Sequence, residues 1–387
     1  MTWPTKKLGE IAEIYSGGRS GITKKDYIEK GFPAFSAAGQ DGFTKEAYDS
    51  GFAVILSSIG SRCGKCFYAE GEWTALANTQ IIKFENPVTA KFMYYYLNDA
   101  NKWPKTGTGQ PFISPSVVKN LIALFPPLLT QQKIVKILDT IQEAVEIQEK
   151  IIEKTKELKK SLMAKIFKYG GASFRKVRKL KKTEIGEIPE DWEVVRIKDI
   201  GSVITGTTPP TSVKEFWDGE IPFVTPSDFE GDSIYVSRTE RKVTKTGAQK
   251  GRIIPKNSLL AVCIGSTLGK IALSCDECIT NQQINAIVCE NFKVNPFFVY
   301  YFLLKNQGLL KAYAGTTAKP IVKKSLFETF LIPLPPLHEQ HEIAEILKTV
   351  DQKIEIEKRK KELYEELFRT MLNKIMNQEI DVEKIKI

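Results

Sequence analysis

Two stretches of the chain carry apolar residues at helical spacing, and the sequence upstream of each is patterned differently. After Pro126-Pro127, apolar residues recur at Ile134, Leu138, Ile141, Val145, Ile152, Leu158, Leu162 and Ile166, with Ile137, Ala144 and Ile151 widening the stripe. This predicts a long helix. Thr130 stands where an N-cap belongs, Lys165 and Lys168 suit the negative end of the helix dipole, and Gly170-Gly171 supplies a stop. A second stripe runs through Ile343, Leu347, Val350, Ile354, Tyr364, Leu367, Met371 and Ile375. Roughly 39 residues at 1.5 Å each give a rod of about 58 Å, longer than a small domain is wide. Before each rod the pattern changes to short β-branched runs broken by Gly, Pro, Asn and Ser, which predicts a globular α+β domain. "FAVILSSIGSRCGKCFYA" and "SLLAVCIGSTLGKIALS" read as strand, turn, strand.

The two halves are one unit written twice. Trp3 to Gly17 aligns on Trp192 to Gly206, "IGSRCGK" at Ile59 on "IGSTLGK" at Ile264, and Asn78 and Gln80 on Asn281 and Gln283. "FMYYYL" at Phe92 then meets "FVYYFL" at Phe298, and "PPLLTQQKIVKIL" at Pro126 meets "PPLHEQHEIAEIL" at Pro335. The separation grows from 189 residues (192 − 3) to 209 (335 − 126), so insertions lie in the globular part of copy two. So long a period marks duplication of a whole domain with its tail, not a solenoid. Neither rod can hide its stripe in its own domain, so each is expected to pair antiparallel with the other about a pseudo-two-fold axis, with the globular domains at opposite ends. The expected segments are a first globular domain over 1–128, a long helix over 129–170, a basic linker and second globular domain over 171–336, and a second helix with tail over 337–387. The polar run "EKRKKE" from Glu357 to Glu362 is expected to be a solvated face.

Composition narrows the chemistry. Among 387 residues, 56 Lys and Arg outnumber 46 Asp and Glu, for a net charge of +10 and a pI near 9.0, a field that attracts polyanions. No apolar run approaches the ~20 residues of a bilayer span, and "MTWPTKKLGEI" lacks the form of a secretory signal, so a cytoplasmic protein is expected. The pairs Cys63/Cys66 and Cys275/Cys278 have zinc-like spacing, but they align with Leu268/Ile271 and Glu70/Trp73 in the other copy and read as small buried hydrophobes. Both "IGSxxGK" turns are one residue short of a phosphate loop and lack its Ser/Thr. "VNPFF" at Val294 lacks the second proline of a methyltransferase tetrapeptide and reads as a helix start. His338 and His341 replace Leu129 and Gln132, so no catalytic or metal role is expected of them. The segment from Lys168 to Lys182 carries basic residues and no acidic ones, as a solvated linker or a strip along a DNA backbone would.

These features together resemble the specificity subunits of type I restriction-modification systems. "TEIGEIPEDWEVVRIKDI" (Thr183 to Ile200), the "IGSxxGK" turns, "PLPPLHEQHEIAEIL" and the twofold domain-helix order carry the resemblance over essentially the whole chain. Copy one departs from it, with "LLTQQK" for "LHEQHE" and a shorter lead-in. The resemblance implies two target recognition domains, each reading half of a bipartite site in double-stranded DNA. It implies helices that act as spacer and as docking surface for two methyltransferase subunits, and endonuclease/translocase subunits as further partners. S-adenosylmethionine and ATP would belong to those partners, leaving this chain without cofactor, metal or catalysis. The alternative, a self-sufficient nuclease or DNA methyltransferase, would need a cofactor loop or clustered carboxylates that the sequence does not display. The polar and basic turns shared by both copies are the expected DNA-facing residues: Arg19, Thr23 and Lys24 against Thr207 and Thr208, Arg62 and Lys65 against Lys270, Thr108 and Gln110 against Thr316 and Lys319.

If the rods set the gap between half-sites, one heptad inserted after Gln148 and another after Glu357 should lengthen them by about 10.5 Å. That equals about 3 bp of DNA. The expected outcome is methylation at sites whose unread spacer is longer by ~3 bp, or loss of binding because the groove has also turned. Unchanged spacing with full activity in a methylated-site map would show that the rods do not measure the gap.

Overall fold

The computed structural model describes residues 3–106, 109–171, 178–231, 233–290, 292–314 and 320–385. The chain is α+β and divides into two compact units, Met1–Glu149 with Lys358–Ile387, and Lys150–Glu357. Four helices organise them: α1 (Pro87–Leu97), α2 (Leu128–Tyr169), α3 (Pro296–Lys305) and α4 (Leu337–Met376). The long helices α2 and α4 each contribute one part to each unit. Helix α2 starts two residues before Thr130, directly after the Pro-Pro step that forbids earlier helix. The Thr130 hydroxyl therefore does not cap; it donates to Glu383 Oε1 at 2.8 Å.

In the first unit, β1 (Glu13–Ser16), β2 (Phe32–Ser36), β3 (Phe52–Ser57), β4 (Cys66–Ala69) and β5 (Thr79–Phe84) build two layers. Strands β1, β5, β3 and β4 form an antiparallel sheet in that order. Side chains of β3 alternate between two cores, Ala53 and Ile55 toward Trp73 and Phe35, Val54 and Leu56 toward Phe92 and Met93 of α1. Burial on both faces is why "FAVIL" is continuously apolar rather than alternating. The second of these cores also takes Ile134 and Leu138 from α2 and Ile375 from α4. Within this unit the two long helices run antiparallel, since Lys361 meets Glu149 at 2.5 Å while Ile375 lies in one core with Ile134.

The second unit repeats the design with β6 (Gly201–Thr205), β7 (Trp217–Val224), β8 (Tyr235–Val236), β9 (Leu259–Val262), β10 (Ile271–Ser274) and β11 (Ile284–Cys289). Its sheet has the order β6, β11, β9, β10 and β8. Again the long helices run antiparallel inside the unit: Lys159 meets Asp351 at 2.6 Å, and Ile166 and Ile343 share one core. Helix α3 begins at Pro296 with Asn295 capping it, as the sequence predicts.

Strand register locates the insertions. Phe32 pairs with Thr44 and Ile221 with Val243, so ten extra residues (199 − 189) lie between Phe223 and Arg241, where β8 forms. Asp49 pairs with Trp73 and Ile254 bridges Cys278, adding six more (205 − 199) between Val243 and Ile254. Register also corrects the alignment of Asn78 and Gln80 on Asn281 and Gln283. Ser16 pairs with Gln80 and Thr205 with Asn285, so Gln80 corresponds to Asn285 and Asn78 to Gln283. The repeated Asn-x-Gln letters lie two residues out of structural step, one strand pleat, which keeps the same face and hides the shift.

One buried glutamine fastens each long helix to its domain. Gln131 donates to the Pro126 carbonyl at 2.8 Å and accepts from the Thr89 hydroxyl at 2.9 Å. Gln340 donates to the Pro335 carbonyl at 2.8 Å and accepts from the Asn295 N–H at 2.9 Å. A buried tyrosine adds a second tie, Tyr95 donating to Asp139 and Tyr301 to Asp351. The pair Lys91–Asp139, 3.6 Å apart, becomes Lys348 over the Phe297 ring at 4.7 Å in the other copy, a charge pair exchanged for a cation–π contact. The expectation of a solvated run from Glu357 fails at its first residue: Glu357 is buried, and Lys353 one turn earlier meets it at 2.5 Å.

Glu339 is a heavily committed charge. It accepts hydrogen bonds from Arg178, from the Gly171 N–H at 3.0 Å and from Trp192 Nε1 at 3.0 Å. Burial opposes its ionisation, but these donors outweigh burial and hold the carboxyl below its ordinary range. Its folded-state pKa is depressed, so its contribution is present at neutral pH and is lost as pH falls from about 4.5 through the folded-state value. Glu339→Gln should therefore cost roughly 2–4 kcal/mol at pH 7, because Arg178 and Trp192 lose a buried ionic partner. Urea midpoints of wild type and variant should differ at pH 7 and begin to converge only as pH falls below about 4.5 toward the folded-state value; a constant gap down through that range would refute the ionic account.

Candidate nucleic-acid interface

Loops from distant parts of the sequence meet at one end of the first unit's sheet. The turn between β3 and β4 holds Gly60 at φ 88° and Gly64 at φ 97°, the left-handed region that side chains disfavour. Its counterpart between β9 and β10 has Gly265 at φ 98° and Gly269 at φ 92°. The strand-turn-strand reading thus holds for both copies, as the antiparallel pairs β3·β4 and β9·β10 show. Gly60 N–H donates to the Pro111 carbonyl at 3.1 Å and Ile113 N–H to that of Ser58 at 2.9 Å, which sets the exposed Gln110 beside the turn. Thr23, Lys24 and Arg62 line one cleft of about 450 Å³ with Ser36, Ala38 and Asn78.

Arg19, Thr23, Lys24 and Arg62 each have a partner that fixes the side chain's direction. Arg62 donates from Nη1 to the Ala38 carbonyl at 2.7 Å, leaving the rest of an exposed guanidinium free. Lys24 pairs with Asp41, which also accepts from Tyr27 and Ser36 at 2.7 Å each. Burial raises the Asp41 pKa, but these donors prevail and keep it below the ordinary range. Thr23 caps a short turn against Asp26, and Arg19 lies 4.4 Å from the centre of the Tyr15 ring. Lys65 is exposed at the far side of the turn.

The second unit presents the corresponding loops with different chemistry. Thr267 stands where Arg62 stands in the first copy, and Thr208 donates to Gln282 Oε1 at 2.8 Å beside Thr207. Lys270 is exposed but turned sideways, donating to the Phe229 carbonyl at 3.1 Å within the ten-residue insertion. Thr108, Thr316 and Lys319 lie outside the described residues. Two residues escaped sequence reasoning, Arg252 and Gln282. Arg252 donates to the Thr205 carbonyl at 2.7 Å and lies between Val243 and Ile254, where the six-residue insertion falls, so the repeat offers it no counterpart. Gln282 belongs to the polar run "TNQQ", a turn signal that could have drawn attention to it. In the basic stretch from Lys168 to Lys182, Lys168 pairs with Glu187 at 2.7 Å and Arg178 turns inward to Glu339, while residues 172–177 lie outside the described ones.

Cys63, Cys66 and Cys278 are buried in packing, while Cys275 is half-buried. Cys66 donates to the Leu97 carbonyl and Cys63 to that of Ser58, each at 3.4 Å, and burial pushes both thiols above their usual range. Burial moves Cys278 up to about 12. Such thiols stay protonated at neutral pH, unlike zinc ligands. Among the described residues no cluster of His, Cys, Asp and Glu is arranged to hold a metal, and no helix is long and apolar enough to cross a membrane.

Comparison with known proteins adds the lineage. The family described as type I restriction modification DNA specificity domain matches residues 1–157 and again 189–366, once in each copy. The MjaIX type I restriction enzyme specificity subunit of Methanocaldococcus jannaschii is 36% identical over 217 residues, 55% of this chain and 49% of that subunit, so the chain spans about half of this relative. The putative MjaX specificity subunit of the same organism is 27% identical over 98% of this chain and 94% of its own length. In structure, the type I restriction-modification S subunit from M. genitalium superposes with a TM-score of 0.64 at 18% identity, covering 97% of this chain and 96% of that one. With both copies matched and the two sheets sharing one design, this chain belongs to the type I restriction modification DNA specificity domain family.

Proposed function

We propose that this chain is the non-catalytic DNA-reading subunit of a type I restriction-modification complex, each unit recognising one half of a bipartite site in double-stranded DNA. The observation that carries this reading is the double match of the specificity domain, one for each structural copy. Both copies end their sheets in the same cluster of polar loops, and the chain's charge of +10 favours a polyanion. In this reading Arg19, Arg62, Lys65 and Arg252 settle the register on phosphates or base edges, and the protein works in the cytoplasm beside the host DNA. Catalysis and its cofactors reside in the partners, two methyltransferase subunits and the endonuclease/translocase subunits.

The long helices supply a basis for two equal partners. Ile147 and Ile356 occupy matched positions 209 residues apart (356 − 147), and each is 53% exposed. Leu158 and Leu367, also matched, are 59% and 44% exposed. An apolar position left uncovered on one helix is unremarkable, but the same positions uncovered in both copies fit two copies of one partner. Ile147→Glu should therefore reduce the bound methyltransferase from two subunits to one, and Ile147→Glu with Ile356→Glu to none, with thermal stability nearly unchanged. Native mass spectrometry of the complex gives the stoichiometry directly, and two subunits retained by the double variant would remove the helices from the docking surface.

Independent reading by the two units has its own test. Replacing Trp192 to Pro333 by the corresponding segment of another specificity subunit should change one half of the methylated motif and preserve the other. If both halves change together, the units do not read separately.

A further inference from the structure

We infer that Gln282 reads an adenine in the half-site contacted by the second unit, with Thr208 as its positioning residue. The inference rests on the reading of that unit as a half-site reader and names the base chemistry it recognises.

The loop bearing Gln282 is fixed from several sides. Asn281 N–H donates to the Val224 carbonyl at 3.1 Å, and Asn281 Oδ1 accepts from the Gln283 N–H at 3.0 Å. The Gln283 amide donates to the Ile264 carbonyl at 3.3 Å, tying the loop to the glycine turn. Gly206 allows the opposing strand end to close on it. A Cβ there would stand 2.1 Å from Thr280 Oγ1 and 2.2 Å from the Asn281 carbonyl, so no other residue permits the approach. That approach sets the Thr208 hydroxyl 2.8 Å from Gln282 Oε1.

Gln282 itself is exposed, while its neighbours Asn281 and Gln283 spend their side chains on each other and on backbone. The Thr208 bond orients its amide. One lone pair of Oε1 is used, a second remains, and Nε2 keeps both protons. A free acceptor beside a free donor on one planar amide matches adenine N6–H and N7 in the major groove, the bidentate pairing that distinguishes adenine from the other bases. Arg252, held by the Thr205 carbonyl at 2.7 Å, supplies a nearby cation for the phosphate backbone. The first copy has Ala77 at the matched position and Arg62 on its turn, so the two half-sites are read by different groups.

The test is a map of methylated motifs made by the full complex with its methyltransferase subunits, comparing wild type with single variants. Gln282→Ala should relax one adenine of a single half-site, lowering discrimination there roughly five- to hundredfold and leaving the other half-site intact. Gln282→Glu removes the donor and should move the preference at that position toward cytosine, whose N4 group donates. Thr208→Val should relax the same position more weakly, and Thr208→Ser should restore it. An unchanged motif in Gln282→Ala, or relaxation at a position that is not adenine, overturns the inference while the specificity-subunit reading stands. A wild-type complex that methylates no bipartite motif overturns that reading instead.

Discussion

An apolar stripe as long as that of α2, 42 residues of helix, cannot be buried by the domain that precedes it. The rest of the architecture follows from how that surface is covered. In the first unit Ile134 and Leu138 of α2 are sealed by Ile375 and Met376 of α4, residues from opposite ends of the sequence. In the second, Met163, Ile166 and Phe167 of α2 share a core with Ile343 and Leu347 of α4. Each unit is therefore completed by both long helices, and neither copy of the repeat is a complete folding unit by sequence continuity alone. The buried glutamines Gln131 and Gln340 convert this packing into a defined angle of departure, because each bonds the Pro-Pro carbonyl and the domain at once.

Duplication leaves the frame constant and moves the chemistry around it. At the start of α4 the acid is on the helix, Glu339, and the base on the incoming segment, Arg178. At the start of α2 the arrangement is reversed, with Lys133 on the helix and Glu383 on the tail at 2.5 Å. Both ties join a helix start to the segment leaving the other long helix, so the pairing is retained while the charges exchange places. The loops at the sheet ends diverge further. The first unit offers a cleft with Lys24 and Arg62, the second a surface of Thr208 and Gln282, and the ten-residue insertion adds an extra edge strand only to the second sheet. The repeated frame is thus retained in both units while the loops at the sheet ends differ.

Much of this was legible in the residues. Helical spacing fixed the two rods, the glycines of "IGSxxGK" fixed the turns, and the repeat pointed to packing for Cys63 and Cys66, which are buried, while Cys275 of the other pair is only half-buried. These are local properties, set by backbone angles and by which face of an element is apolar. What depended on partners far along the chain was not legible. Thr130 resembles a cap but bonds Glu383, and Glu357 resembles a surface residue but is buried. The letters Asn78 and Gln80 match Asn281 and Gln283, yet the sheet pairs them two residues away, because a shift of two keeps the same face and leaves no trace in the pattern. Of the expected DNA-facing residues, Arg62, Thr23 and Lys24 are gathered by tertiary structure into one cleft, and Thr208 acquires a role only through Gln282. The sequence by itself determined the elements, their duplication and the family; the tertiary structure decided which side chains meet, because hydrogen-bond direction and burial are set by neighbours that sequence spacing does not encode.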